Sequence, residues 1–321
     1  VRARRIVELA GGSESDNLAI MGSLISDEAR GKHFVTVASE HPAVTATAGW
    51  VQKNGFEVTV LPVDREGRVG IDQFAASLRS DTQIASVMLA NNEVGTVYPI
   101  AELARIARDR GVVFHTDAVQ AYGKIPVNVN ELGVDMLSLS SHKFNGPKGI
   151  GVLYVRQGTR LTPILFGGGQ EQGRRPGTEN VPGAVGTALA MQIAAEEPQE
   201  MRRVGKLTDE FRKLLAQQVN DIMFFGDPGN RLPNTVAAGF GGVDGELLTI
   251  ALDLRGICVS TGSACHSGAR EPSHVLKAMG LTDEQAKGAL VLTVGEGTTD
   301  EEITKALEII PQVVEKLRRV T

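Results

Sequence analysis

Short apolar runs separated by amphipathic stretches set the rhythm of the first half of the chain. Residues 33–39 (HFVTVAS), 57–63 (EVTVLPV), 84–90 (IASVMLA), 112–116 (VVFHT) and 136–140 (MLSLS) are rich in Val, Ile or Leu, of strand length, and bounded by Gly, Asn or Asp. Between them, 16–26, 44–54, 71–79 and 100–110 are amphipathic and long enough to be crossover helices. Strand–helix–strand units in series predict an α/β fold, a mainly parallel sheet covered by helices on both faces. Its ligand site should lie at the carboxyl ends of the strands. Residues 151–155 add a strand, 167–180 read as a polar, Gly-rich loop, and 181–197 and 200–219 as helices. The pattern then changes. Strand-like 235–238, helical 245–255, strand-like 257–260 and a closing helix at 300–320 predict a smaller α+β domain. The boundary falls near Gln199, giving domains 1–199 and 200–321.

A length of 321 residues agrees with two domains rather than one core. The net charge of −5 gives no general electrostatic reason to grip nucleic acid or an anionic membrane. The longest apolar stretch, 181–195, contains Pro182, Gly183 and Gly186 and is too short to span a bilayer. Residues 1–10 are Arg-rich without the apolar core of a secretory signal. Two cysteines, Cys258 and Cys265, cannot form a disulfide framework, so a reducing, cytoplasmic setting is expected.

Candidate chemistry gathers where predicted strands end. In 137–151 (LSLSSHKFNGPKGIG) a strand runs through Ser140, Ser141 and His142 to Lys143 and then into a Gly/Pro loop. A lysine is ordinarily a solvated surface charge. Here its neighbours can hold an anion and pass protons, the setting that a Schiff base with pyridoxal phosphate (PLP) requires. In 114–124 (FHTDAVQAYGK), Asp117 follows a strand and precedes Gln120 by three residues. A carboxylate there can keep a pyridine nitrogen protonated, although Asp at such a junction is also a common helix cap. His41, in SEHPAV, can stack on a flat ring or be an ordinary loop residue. The turn 11–17 (GGSESDN) offers close-approach glycines, the Ser13 and Ser15 hydroxyls and a helix start, the chemistry of an anion site. Cys265, flanked by small and polar residues, suits a nucleophile on an accessible loop. Cys258, within an apparent strand, is expected to be buried packing. Cys265, His266 and His274 lack an established metal-ligand spacing, and no GxSxG elbow, Walker loop or dinucleotide GxGxxG is present.

Taken together, GGSESDNLAI, SEHPAV, NNEVGT, HTDAVQAYGK, LSLSSHKFNGPKGIG, GGGQEQGRRPGTEN, RLPNT, STGSACHSG and EPSHVL resemble, in order, the motifs of the NifS/IscS-like cysteine desulfurases. The resemblance implies a PLP-dependent transferase of fold type I (class V aminotransferases), with a large α/β domain and a smaller α+β domain. It implies that Lys143 carries the cofactor with His142 beside it, that Asp117 pairs with the ring nitrogen, Gln120 with the phenolic oxygen, and that His41 stacks on the ring. Asn92 would line the pocket, and Ser13, Ser140 and His142 would bind the phosphate. Thr178 would reach the cofactor of the partner subunit in a homodimer. Cys265 would take the sulfur of L-cysteine as a persulfide, leaving alanine. The acceptor would be an iron–sulfur scaffold, a tRNA-thiolation protein or a DNA sulfur-modification protein. A selenocysteine lyase uses the same pocket.

Three departures from that pattern stand out. Val291 and Glu296 occupy positions where the family usually has arginines, the first of which grips the substrate carboxylate. Arg175 is a candidate to compensate; otherwise the chain is a weakened PLP-binding scaffold. The family's amino-terminal Ala-Thr-Thr stretch is absent before Val1. Finally, the chain is expected to open inside a helix and to lack the loop and strand that normally separate that helix from the Gly-Ser turn, so residues are expected to be missing between Ala10 and Gly11.

Overall fold

The computed structural model describes residues 5–196, 198–262 and 272–319. They fall into two units. The first takes the chain as far as Pro62, Val69–Asn91, and 98–196; the second takes Val63–Arg68, Asn92–Val97 and the chain from Pro198 onward. Two short excursions from the amino-terminal half therefore belong to the second unit, which no single sequence boundary would mark.

The first unit contains, in order, β1 (Ile6–Leu9), α1 (Gly12–Leu24), β2 (His33–Val37), α2 (Pro42–Lys53), β3 (Glu57–Leu61), α3 (Ile71–Ser77), β4 (Thr82–Ser86), α4 (Ile100–Asp109), β5 (Val113–Asp117), α5 (Val129–Leu132), β6 (Met136–Ser140), β7 (Gly151–Val155) and α6 (Val181–Glu196). Its sheet runs β1-β7-β6-β5-β4-β2-β3. The five strands from β6 to β3 are parallel to their neighbours, and β7 and β1 are added antiparallel. Strands β2, β4 and β6 are buried at every residue, as expected of parallel strands covered on both faces, whereas edge strand β3 is largely open. Helix α1 lies across β4 to β7 and, with α2, buries Leu18, Ile20, Phe34, Val44, Ile84, Met136 and Leu153 in one core.

Strand β1 corrects the sequence-based expectation. Residues 6–9 are not the end of a helix, and no strand is lacking before the Gly-Ser turn. Ile6–Leu9 is that strand, with Ile6 opposite Tyr154 and Leu9 opposite Gly151. Ala10 leads directly to α1, its N–H donating to Glu14 (2.5 Å). Val7 and Leu9 point inward while Ile6 and Glu8 are half-buried. Four residues beside an Arg-rich segment are too short a run for periodicity to reveal.

The second unit contains α7 (Pro198–Gln218), β8 (Ile222–Phe225), β9 (Thr235–Phe240), α8 (Gly245–Asp253), α9 (His274–Ala278), α10 (Asp283–Lys287), β10 (Ala289–Thr293) and α11 (Asp300–Arg318). An antiparallel sheet, β10-β9-β8, packs with α7, α8 and α11 around Phe211, Leu215, Leu248, Leu252, Leu290 and Ile310. Thr282 and Thr299 close capping boxes that start α10 and α11. Residues 257–260 do not form the expected strand; they make one bridge, Ser260 to Val291. Cys258 is likewise corrected, being exposed rather than buried. Ile257 and Val259 turn against the core, so the alternation sends the thiol of Cys258 outward. No described helix is long and apolar enough to cross a membrane.

Candidate active site

The carboxyl ends of β5 and β6 in the first unit carry most of the residues singled out in the sequence. Strand β6 ends at Ser140, and a single 3-10 turn, Ser141–Phe144, presents His142 and Lys143, both exposed. Asn145 stops that turn in the left-handed region (φ 64°), where Asn is tolerated. The turn is fixed from beneath: the Thr187 hydroxyl of α6 donates to Ser141 Oγ (2.9 Å), and the Gly146 N–H to the Ser141 carbonyl (3.0 Å). His142 Nδ1 lies 3.1 Å from Ser140 Oγ, and the imidazole is held below its ordinary pKa by burial and by the charges of Lys143 and Lys148.

Opposite this turn, the start of α1 supplies bare backbone. A Cβ on Gly12 would lie 2.8 Å from Val119 Cγ2 and 3.4 Å from Ser140, so a side chain is excluded there. A Cβ on Gly151 would collide with the Gly11 backbone at 2.4 Å. The first N–H groups of α1 lie next to exposed Ser13 and to Ser140, a helix start of the kind that can hold an anion.

Asp117 ends β5 and is buried. The Val119 N–H donates to its Oδ1 (2.8 Å), so the cap and the site coincide at one residue. Its pKa is pushed up to about 6, first by burial, against the Val119 bond and the positive charge of Lys143, which draw it down. Gln120 accepts from Lys124 Nζ (2.5 Å). The Lys124 pKa is pulled down to about 8 by burial and by Lys143. His41 caps α2, its Nδ1 accepting from the Ala43 N–H (3.1 Å).

Sequence patterns did not single out Asp16, Glu40, Lys124 or His115. Asp16 and Glu40 are fully buried acids held well above their ordinary pKa by burial and by the charge of Asp117. His115, two residues before Asp117 on β5, is buried between Ser86 Oγ (2.8 Å from Nδ1) and Ser138 Oγ (2.9 Å from Nε2), with Asp16 Oδ1 at 3.7 Å. Burial lowers its pKa to about 3, so the ring is neutral. The signal was the alternation Ser86, His115, Ser138 on three neighbouring apolar strands, where polar residues need a reason to be buried.

The remaining candidates are placed differently. Thr178 is exposed in the loop before α6, between Gly177, whose N–H donates to Gln170, and Asn180, whose N–H donates to Glu8. Arg175 is already paired with Glu14 (3.1 Å). Asn92 lies in the second unit, its Oδ1 buried without a partner among the described residues. Val291, also in the second unit, is backbone-bonded to Ser260. Cys265 lies outside the described residues.

In the first unit, then, an exposed lysine, a buried carboxyl group within its field and a helix start with close-approach glycines share one end of the sheet. This donor set fits PLP, a phosphate ester with an aldehyde and a basic ring nitrogen, and Lys143, Asp117, Ser140, His142 and the start of α1 could hold it.

The family model described as aminotransferase class V matches residues 1–304. A relative named cysteine desulfurase IscS, from Dictyoglomus turgidum, is 46% identical over 321 residues, covering 100% of this chain and 82% of its own. The solved structure of a NifS-like protein superposes with a TM-score of 0.91 at 35% identity, covering 99% of this chain and 84% of that one. The structure of SspA in complex with cysteine superposes at 0.78 with 33% identity, covering 93% and 84%. The chain belongs to aminotransferase class V, in its NifS/IscS-like branch of PLP-dependent cysteine desulfurases.

Proposed function

We propose that this chain removes the sulfur of L-cysteine, with Lys143 holding PLP and Cys265 receiving the sulfur. The observation that carries the reading is that Lys143 and buried Asp117 stand at adjacent strand ends, near enough for the lysine charge to draw the Asp117 pKa down. PLP, when bound, supplies an electron sink for negative charge developing on the substrate. Asp117 keeps the ring nitrogen cationic, a charge that in turn compensates its own burial. The N–H groups at the start of α1, with Ser13, Ser140 and His142, bind the phosphate. His41 covers the ring, and Gln120 donates to the phenolic oxygen. Asn92 lines the pocket. Lys143 and His142 move protons to and from the substrate carbon skeleton. The Cys265 thiolate attacks the substrate sulfur. The carbon–sulfur bond breaks with its electron pair left on carbon, which takes a proton. Alanine departs, and Cys265 holds a persulfide for an acceptor protein such as an iron–sulfur scaffold or a tRNA- or DNA-sulfur-modification protein. SspA bound to cysteine, a structural neighbour, supports the substrate.

A homodimer in the cytoplasm completes the reading. On α6, Val181, Val185, Leu189 and Ile193 are 62%, 65%, 58% and 49% exposed and recur every four residues. Phe166 and Trp50 line an apolar cavity of about 510 Å³ in the same unit. Stripes of this kind call for a covering surface, and a second copy would also bring exposed Thr178 to its neighbour's cofactor.

The test is reconstitution with PLP and measurement of alanine and sulfide from L-cysteine, and of selenide from L-selenocysteine. Turnover of cysteine above the Lys143→Ala background is expected. Turnover of selenocysteine alone would make the chain a selenocysteine lyase. Cys265→Ser should keep the cofactor's absorbance and lose the persulfide. A second reading, a weakened PLP-binding scaffold, is favoured by Val291 and Glu296 and predicts cofactor binding without turnover.

A further inference from the structure

Glu93 is a carboxylic acid with no place in the chemistry above. It is buried, 6% exposed, on the short segment Asn92–Val97 that belongs to the second unit. Its backbone is anchored. Val94 sits in a core with Phe225, Ala237, Val275, Leu276 and Met279, and the Leu232 N–H donates to the Gly95 carbonyl (2.8 Å). The carboxyl group therefore projects from a fixed support.

Two contacts of that carboxyl group stand out. The Ser273 hydroxyl, itself buried, donates to Glu93 Oε2 and also accepts the Leu276 N–H (3.3 Å) as the cap of α9. On the other side, Gly262 packs so closely that a Cβ there would lie 2.9 Å from the same Oε2 and 3.4 Å from Cδ. Gly262 has φ +74°, a conformation that favours glycine, so the close approach and the turn reinforce each other. Just upstream, Ser260 is bonded in both directions to Val291 of β10. One buried carboxyl group thus bonds residue 273 and packs tightly against residue 262, and Cys265 lies between them in sequence.

We propose that Glu93 is a positioning residue for sulfur transfer: by tying Gly262 and Ser273 together it fixes both ends of the segment that contains Cys265, and so sets where that thiol is delivered. The inference rests on the reading of Cys265 as sulfur carrier. Ser273 donates its hydroxyl, so a neutral acceptor at position 93 serves as well as a carboxylate.

The test compares Glu93→Ala, Glu93→Gln and Ser273→Ala in the full chain, loaded with PLP and unloaded. Loaded, Glu93→Ala is expected to lower the single-turnover rate of persulfide formation on Cys265 by roughly ten- to a hundredfold, with KM for L-cysteine and the cofactor's absorbance unchanged. Glu93→Gln should recover most of that rate, because its amide oxygen accepts from Ser273. Unloaded, Glu93→Ala should speed proteolytic cleavage between 262 and 273 several-fold, and Glu93→Gln should not. The proposal is overturned if Glu93→Ala forms persulfide within twofold of the parent rate, if Gln and Ala are equally slow, or if Glu93→Ala loses the cofactor's absorbance. The outcome for Cys265 is separable. A parent protein that forms no persulfide on Cys265 ends that reading, while the cleavage comparison still decides whether Glu93 ties the two ends.

Discussion

Two buried acids, one in each unit, face opposite circumstances. Asp117 closes a parallel strand, its pKa rises to about 6 through burial, and its charge in turn raises two further buried carboxyl groups, Asp16 and Glu40. Glu93 rises to about 7 through burial, against the pull of the Ser273 hydroxyl, with no second acid contributing. Three acids crowded around one sheet end make a place that favours a cation, which is what a protonated ring nitrogen supplies. A solitary acid, half protonated at pH 7, still offers a carboxyl oxygen that accepts a hydrogen bond in either state. Charge crowding separates a binding role from a tying role, although both groups are equally hidden from solvent.

The severest way to break the first half of this comparison is Lys143→Ala. It removes the amine proposed to hold PLP and, among the described residues, the one basic side chain that draws the Asp117 pKa down. Turnover of L-cysteine should fall by about 10³-fold or more. Measurement of alanine formed with PLP present checks this, and turnover within tenfold of the parent would remove Lys143 from its role.

Asp117→Asn is the next largest change. Losing the ring-nitrogen partner should cut kcat by roughly 10²-fold, in the range of a positioned proton-transfer group. The same substitution should stabilise the unloaded protein at alkaline pH. The folded pKa of about 6 lies above the ordinary 3.8, so the protonated form is the one folding favours. That stability is complete below pH 3.8 and is lost as pH rises through 6. By pH 8 the parent should trail Asp117→Asn by up to ~3 kcal/mol, and the gap should vanish near pH 4. Thermal melts at both pH values test this. Adding PLP should close the gap at pH 8, because the bound cation compensates Asp117.

Glu93→Gln sharpens the contrast. Its parent carboxyl is also raised, from 4.5 to about 7, so stability is complete below pH 4.5 and lost as pH rises through 7. The amide variant should gain about 2–3 kcal/mol over the parent at pH 8 in unloaded melts. Here PLP should leave the gap in place. A gap that closes with PLP for Glu93→Gln would show that both acids answer to the cofactor, and the distinction between them would fail.

The two acids were not equally legible in the sequence. Asp117 announced itself because it follows a clear apolar run and stands among residues whose chemistry PLP requires. The parallel strands of the first unit were legible for the same reason: each is an unbroken apolar stretch, buried on both faces. Strand β1 was not, because four residues carry too little pattern, and β8, α9 and α10 are comparably short. The exposure of Cys258 is not legible because alternation in 257–259 resembles a strand without showing which face turns inward. Glu93 sat within a recognised motif, NNEVGT, yet its partners Gly262 and Ser273 lie some 170 to 180 residues away, and no local pattern encodes such a meeting. The carboxyl groups of Asp16 and Glu40 were hidden similarly, since only the fold brings α1 and the end of β2 over β5.

The smallest expected effect probes the polar ladder beneath Asp117. Ser86, His115 and Ser138 come from adjacent strands β4, β5 and β6, and the His115 ring between them is neutral at pH 7, so one ring nitrogen donates while the other accepts. Ser86→Ala removes the partner of Nδ1 and leaves that buried nitrogen unsatisfied, which should cost about 1–3 kcal/mol. Asp117 itself keeps its Val119 bond, so kcat should fall no more than a few-fold. Urea unfolding at pH 7, set beside turnover of the same variant, separates the two quantities. A loss of kcat as large as that of Asp117→Asn would mean that the ladder sets the ring-nitrogen contact directly. The binding region would then extend one layer deeper into the sheet than Asp117, and the crowding of acids alone would no longer account for it.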